Sequence, residues 1–177
     1  MKNAVQLVFK PIFLSITLMV VAFTVISCSS SIVYKNAQPS GGRMIKKIPN
    51  RHLGKYIDDK DTLTLLKTAF VLDGEKIELK NDSVILNRFK KNYVLSILED
   101  SIRGWDVFLV KMDRSSVALF TILDEAFELG ALEKLVTIDT LKKGSHKYYM
   151  INPTRTQFKT MMQQNLFSPV YSFKKLE

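Results

Sequence analysis

The sequence predicts a mainly β domain of the α+β class, an antiparallel β-meander that forms a closed or half-closed barrel-like sheet and carries two short helices. Three observations lead to this prediction. Short runs of β-branched and apolar residues recur about every 8 to 14 residues. Turn-forming residues separate these runs. Two later segments, about 124–134 and 153–166, have the spacing and end signals of amphipathic helices.

The clearest hairpin lies in the first half of the chain. The run "TLTLLKTAFVL" (62–72) leads into Asp73-Gly74, two residues that tolerate the positive φ of a two-residue hairpin turn. The following "EKIELK" alternates apolar and charged positions, as a strand with one covered face does. Further strands are predicted, in order, in "SVILNRFK", "YVLSILE", "WDVFLVKM" and "VALFTIL". Several of these are apolar at consecutive positions, so we expect both of their faces to be covered, by closure of the sheet or by helices.

The second half supplies the two helices and the last strands. Acidic residues begin the first helix, where they favour the positive end of the helix dipole. Thr154 and Gln157 have the spacing of a capping box, which marks the start of the second helix. The segments "LVTIDTLKK", "KYYMIN" and "VYSFKK" are predicted strands, and the last of them is a candidate to close the sheet.

The N-terminus has the layout of a secretory signal. Lys2 and Lys10 precede an uncharged stretch, and residues 12–26 are mostly large and apolar. A retained transmembrane helix is the alternative, although it needs about 20 apolar residues and this run is shorter. We therefore predict a cleaved signal peptide over residues 1–27.

Val25-Ile26-Ser27-Cys28 resembles the lipobox of bacterial lipoproteins. The resemblance implies cleavage by signal peptidase II between Ser27 and Cys28, a diacylglyceryl group on the Cys28 sulfur, and an acyl chain such as palmitate on the new amine. Two or more chains make membrane attachment durable. The alternative is that Cys28 is a small hydrophobe inside a membrane helix.

The residues after Cys28 set the predicted domain organisation and location. Residues 28–42 are rich in Ser, Asn, Gln, Pro and Gly, which predicts a flexible tether, and 43–177 form a single β-rich domain. Ser29 resembles the residue that follows the cysteine in the outer-membrane class of lipoproteins. We therefore predict a lipid-anchored protein at the periplasmic face of the outer membrane of a bacterial cell envelope.

Basic residues exceed acidic ones. The chain carries a net charge of +9, and the part after the predicted signal still holds 24 basic and 17 acidic residues, a net of +7. Lysine pairs recur near predicted strand ends: Lys46-Lys47, Lys90-Lys91, Lys142-Lys143 and Lys174-Lys175. They suit anionic lipid head groups or an acidic protein partner, and they also suit protection of sheet edges. Nucleic acid is not expected, because an exported chain rarely meets it and no aromatic-interleaved binding motif is present.

The sequence offers no catalytic constellation. A single cysteine excludes an intramolecular disulfide framework and a multi-cysteine zinc site. His52 and His146 lie far apart, and neither has a second ligand at a metal spacing. Asp58-Asp59-Lys60-Asp61 lacks the glycine and distal glutamate of an EF-hand, so it is interpreted as a solvated turn. We predict a protein that is not an enzyme, with no metal and no cofactor beyond the covalent lipid on Cys28.

A binding module is the predicted function, with an apolar or lipid-like ligand. "HLGKY" (52–56) is similar to the Gly-x-Trp entry of lipocalin-like domains, with Tyr56 in place of the tryptophan. Trp105 is a candidate for lining a ligand pocket, and the alternative is a core tryptophan at a strand start. Two other function classes stay open: an envelope adaptor or assembly factor that binds a protein through its surface or a sheet edge, and, ranked last, an envelope enzyme.

Overall fold

In the computed structural model, the described residues are 31–79, 82–99 and 104–176, and the side chains of residues 126 and 127 are not described. These residues form one curled sheet of thirteen strands with two α-helices packed on it. The predicted fold class is confirmed, and the sheet forms a half-barrel.

The elements follow one another in a meander with helices in its second half. The strands are β1 (Ile32–Tyr34), β2 (Arg43–Met44), β3 (Gly54–Ile57), β4 (Thr62–Leu66), β5 (Ala69–Leu72), β6 (Glu75–Glu78), β7 (Val84–Phe89), β8 (Asn92–Glu99), β9 (Gly104–Met112), β10 (Ser116–Thr121), β11 (Ile138–Lys143), β12 (His146–Ile151) and β13 (Ser168–Lys175). The α-helices are α1 (Ala126–Glu133) and α2 (Arg155–Gln163), and a short 3-10 helix spans Asn50–His52.

Strand β9 is the branch point of the sheet. One of its edges pairs with β8 along its length, and the other edge is shared by β1 near Trp105 and by β10 from Leu109 to Met112. From β10 the sheet continues through β13, β3, β4 and β5 to β6, and from β8 it continues through β7 to β2. Strand β13, the candidate for closing the sheet, therefore lies between β10 and β3 and joins two parts of it.

The hairpin turns follow local chemistry. Leu72 lies opposite Glu75, and the two turn residues Asp73 and Gly74 both have positive φ, 48° and 87°. The predicted two-residue turn is therefore confirmed. The turn between β7 and β8 falls on Lys90-Lys91, because Phe89 pairs with Asn92 and Lys90 adopts a φ of 56°.

The central strands carry alternate side chains into two cores, because successive side chains of a strand point to opposite faces. The core inside the half-barrel contains Ile48, Tyr56, Leu63, Leu65, Phe70, Leu79, Val84, Leu86, Tyr93, Leu95, Val110, Val117 and Phe173. The core under the helices contains Ile32, Tyr34, Phe89, Val94, Val107, Leu109, Ile122, Leu132, Val136, Ile151, Phe158, Met161, Leu166 and Phe167. The consecutive apolar positions in β8 and β9 thus have the expected cover on both faces.

Helix α2 begins as its sequence predicts. The Thr154 hydroxyl accepts a hydrogen bond from the Gln157 backbone amide at 3.3 Å, and the Gln157 side chain accepts one from the Thr154 amide at 2.8 Å. Phe158 lies at the centre of the helix-side core, with its ring edge-to-face against Tyr34, Phe89 and Phe167. The capping box and the buried stripe together fix α2 on the sheet.

The predicted tether is wrong from residue 31 onward. Residues 32–34 form β1, which is buried and lies between β12 and β9, so the folded domain begins before Arg43. Gln38 is fully buried, and its backbone carbonyl accepts a hydrogen bond from the Asn87 side chain at 2.9 Å. The Gln38 backbone amide also donates to the Ser96 hydroxyl at 3.0 Å, so backbone groups of this segment tie it to β7 and β8.

The predicted signal peptide, the Ser27–Cys28 cleavage site and lipidation of Cys28 fall outside the described residues and stay predictions. Within the described ranges, neither α-helix combines the length and apolar character that crossing a bilayer requires.

Candidate functional site: the seam cleft

Two of the three arms of the sheet, those that end in β2 and β6, approach each other along a seam, which is crossed by the segment Arg43–Ile48. The segment starts as β2, paired with β7, and the Ile45 amide donates to the Leu86 carbonyl at 2.8 Å. At its other end the Ile48 amide donates to the Lys67 carbonyl, in the β4–β5 turn, also at 2.8 Å. The crossing segment therefore links the β7 end of the sheet to the β4–β5 end.

A cleft of about 690 Å³ lies beside this crossing segment. We call it the seam cleft, and its lining residues are Met44, Lys46, Lys47, Thr68, Leu79, Asp82 and Ile85. Two smaller clefts of about 340 Å³ each lie around Asp58, Asp59 and β13. The seam cleft is within the size range of small-molecule sites, which is about 300 to 1,000 Å³.

The seam cleft is amphipathic. Met44, Leu79 and Ile85 supply apolar lining, and the Met44 side chain is 50% exposed on a two-residue strand at the end of the sheet. Lys46 and Lys47 are exposed, and Asp82 is the one acidic residue among the lining residues. An exposed methionine suits an irregular apolar ligand, because its side chain is flexible and polarizable. The two lysines suit an anionic group beside that ligand.

The inside of the half-barrel, by contrast, is filled with side chains. Tyr56 and Phe173 are fully buried there, and the Tyr56 hydroxyl donates to the His52 carbonyl at 2.8 Å. Tyr56, the residue in the tryptophan position of the lipocalin-like pattern, is thus a core residue. The described part of the half-barrel has a packed core where a carrier barrel would have a central cavity.

Trp105 lies on the other face of β9. Its side chain is half-buried and packs against the helix-side core, and it pairs with Tyr34 of β1 and with Leu98 of β8. None of the three clefts described above is lined by Trp105. Its contacts fit the core interpretation, and they separate it from the seam cleft.

The two histidines occupy different places. His52 is buried, its Nδ1 lies 3.2 Å from the Asp113 carbonyl oxygen, and its Nε2 accepts a hydrogen bond from Arg51 at 3.0 Å. His146 is exposed at the start of β12. No group of three or more His, Cys, Asp or Glu side chains in the described ranges is arranged to hold a metal ion.

The acidic loop 58–61 is a hydrogen-bonded turn. The Asp58 side chain accepts from the backbone amides of Lys60 at 2.8 Å and Asp61 at 2.7 Å, and these bonds lower the pKa of Asp58. Desolvation and then the charge of Asp73 raise the pKa of Asp61. The turn interpretation agrees with this geometry.

One carboxyl on the barrel side has a strongly shifted pKa. Asp106 lies on the same face of β9 as Phe108 and Val110, and it pairs across the strands with Ile97. Burial, followed by the charge of Glu99, raises the pKa of Asp106 to about 6. Sequence reasoning missed this residue, although an aspartate on the covered face of a run such as "WDVFLV" is a signal that could have marked it.

Comparison of the chain with protein-family models, with curated proteins and with solved structures found no match. The chemistry of the site itself is therefore the basis for a proposed function. Sequence reasoning singled out Lys46-Lys47 but not Met44, Leu79 or Ile85, because the cleft joins residues from four separate segments.

Proposed function

We propose that this protein is a membrane-anchored bacterial lipoprotein whose domain is a non-catalytic module that binds an anionic amphiphile in the seam cleft. The ligand class is a fatty acid or a lipid with an acidic head group. The observation that carries the proposal is the combination of an apolar lining with Lys46 and Lys47 in the largest of the three clefts described. Thioether lipidation of Cys28 and location at the periplasmic face of the outer membrane belong to the same proposal.

The packed interior supports surface binding rather than transport inside the barrel. Val110, Val117 and Phe173 fill the space between the strands, at exposures of 0%, 0% and 1%. A ligand inside would have to displace such side chains, and loss of close packing costs several kcal/mol for each large residue. A ligand in the seam cleft meets partly exposed side chains and displaces water.

The test uses a chain that begins at Ser29, which keeps every described strand and lacks the predicted anchor. A pyrene-labelled long-chain fatty acid is titrated against the wild type and against Lys46→Glu/Lys47→Glu. We expect the double variant to weaken binding about tenfold, because each reversal removes an attraction and adds a repulsion. Lys90→Glu/Lys91→Glu is the matched control, since it changes the net charge equally at exposed residues of another turn.

A second variant tests the apolar lining. Met44→Glu places a charge where the tail would lie, on a side chain that is half exposed, so folding is little affected. Binding should fall while thermal unfolding stays near that of the wild type. Equal affinity of wild type, Lys46→Glu/Lys47→Glu and Met44→Glu, or no binding by the wild type, would remove the proposal.

An adaptor is the second candidate function. Among the described strands, β2, β6 and β11 end the three arms of the branched sheet, and the seam cleft is lined by Met44 of β2 and by Leu79, which follows β6. A sheet edge of this kind accepts an added strand from a protein partner. Photocrosslinking from position 44 in cells distinguishes the two: crosslinks to lipid support the amphiphile site, and crosslinks to one protein support the adaptor.

A further inference from the structure

The place where the chain enters the fold is fixed next to the β11–β12 hairpin. β1 runs parallel to β12, with Ile32 opposite Tyr149, and the Tyr149 amide donates to the Ser31 carbonyl at 2.7 Å. The Ser31 hydroxyl also donates to the Asp124 carboxylate. Ser31 is thus held by both its backbone and its side chain.

The parallel register gives the direction from which the chain comes. Traced back from Tyr34 to Ser31, the chain runs towards the start of β12, which lies at His146, directly after the hairpin turn. The turn lies about 10 Å from the level of Tyr149, at about 3.3 Å per strand residue. Cys28 is three residues before Ser31, so their Cα atoms are at most about 11 Å apart. A membrane anchor at Cys28 therefore brings the hairpin turn close to the lipid surface.

The hairpin turn is strongly basic. Residues 140–147 include Lys142, Lys143 and Lys147 and no acidic residue. Asp139, further back on β11, forms an ion pair with Lys35 at 2.5 Å. Lys142 lies opposite Lys147, so like charges face each other across the two strands. Such a pair is unfavourable in isolation and favourable beside an anionic surface.

Partly exposed apolar and aromatic side chains lie next to these lysines on β11 and β12. Leu141 is 38% exposed and pairs across the strands with half-buried Tyr148. On the other face the Lys147 ammonium lies 4.5 Å from the centre of the Tyr149 ring. Tyrosines that neighbour basic residues near the turn of a hairpin are typical of elements that lie at a membrane–water interface.

We propose that the β11–β12 hairpin is a membrane-contact element whose turn binds the phosphate groups of anionic phospholipids. It orients the domain so that one face rests on the bilayer. The inference rests on the proposed membrane anchorage at the N-terminus, but it holds whether the anchor is a lipid on Cys28 or a retained apolar helix, because both end before Ser31. It does not depend on ligand binding in the seam cleft.

The test uses the full chain reconstituted in vesicles of phosphatidylcholine with phosphatidylglycerol. In one variant a fluorophore is attached at Ser145→Cys, in the hairpin turn. In the comparison variant it is attached at Lys60→Cys, in the β3–β4 turn, which is separated from the hairpin by strands β1, β9, β10, β13 and β3. Lipids with a nitroxide on the head group quench the label. Mass spectrometry of the intact protein shows whether Cys28 carries lipid or fluorophore. A protein that is not lipidated is therefore distinguished from one whose hairpin does not contact the membrane.

We expect quenching at position 145 to exceed that at position 60 at least fivefold. It should fall to the level of position 60 in Lys142→Glu/Lys143→Glu/Lys147→Glu, because each lysine near an anionic surface contributes about a fivefold change in binding. Phosphatidylcholine alone or high salt should have the same effect. Equal quenching at the two positions, or strong quenching that survives the triple substitution, overturns the inference.

Discussion

Replacing Asp106 with asparagine should stabilise the protein at neutral pH and leave its stability near pH 4 unchanged. Asp106 lies on the barrel-side face of β9, opposite Ile97, and its side chain is half-buried. Burial disfavours the ionised carboxylate, and the charge of Glu99 adds to this, so the pKa of Asp106 rises from 3.8 to about 6. Asparagine keeps the shape and carries no charge.

The sign follows from proton binding. Between pH 3.8 and about 6 the folded protein holds the Asp106 proton and the unfolded chain has lost it, so stability falls as pH rises through this window. Above the window the full penalty is present, and below it the penalty is absent. A shift of this size corresponds to about 3 kcal/mol at 1.36 kcal/mol per pH unit. Solvent screening of a half-buried group reduces the expected value to about 1–2 kcal/mol.

The assay is urea unfolding of the wild type and Asp106→Asn at a series of pH values from 4 to 8, on the chain that begins at Ser29. The quantity of interest is the difference in free energy of unfolding between the two proteins, because groups such as Asp58 and Asp61 contribute to both and cancel. The difference should grow from about zero at pH 4 to about 1–2 kcal/mol at pH 8 in favour of Asp106→Asn. Carbon NMR of the Asp106 carboxyl should give a midpoint near 6.

Glu99→Gln is the companion variant. It removes the second cause of the shift and leaves burial, so the Asp106 midpoint should fall only part of the way towards 3.8. A stability difference that is flat with pH, or a wild type more stable than Asp106→Asn at pH 8, would refute the reasoning.

Three further predictions follow from the packing. Phe158→Ala should lower the free energy of unfolding by about 3–5 kcal/mol, because Phe158 is fully buried among three aromatic rings, and Phe158→Leu should lower it less. Urea unfolding measures both losses, and equal losses would contradict the packing argument. Thr154→Ala should lower the free energy of unfolding by about 1 kcal/mol through loss of the capping box, and the exposed control Thr156→Ala should lower it less. Thermal unfolding followed by circular dichroism compares the two variants, and equal melting temperatures would contradict a stabilising role of the capping box. A chain that begins at Arg43 should be markedly less stable than one that begins at Ser29, because it lacks β1; equal melting temperatures would show that β1 contributes little.

Local chemistry made part of this fold predictable. The Asp73-Gly74 turn and the capping box at Thr154 depend on residues within a few positions of one another, so a short stretch of sequence contains all the groups involved. The mainly β class with two helices follows for the same reason, from run lengths and turn spacing. The lipobox resemblance at Cys28 is equally local, and it stays a prediction.

The tertiary structure decided the rest, because those features join residues that are distant in the chain. A three-residue strand such as β1 is too short to show a period, and its burial depends on β12, more than 100 residues later. The sequence did not determine which face of the sheet Trp105 lies on, because β9 is apolar on both faces. The helix-side core, against which Trp105 packs, identifies the face. The seam cleft exists where the arms that end in β2 and β6 meet at the crossing segment. A sequence specifies which residues are apolar, but which of them remain uncovered is settled only when distant strands have paired and packed.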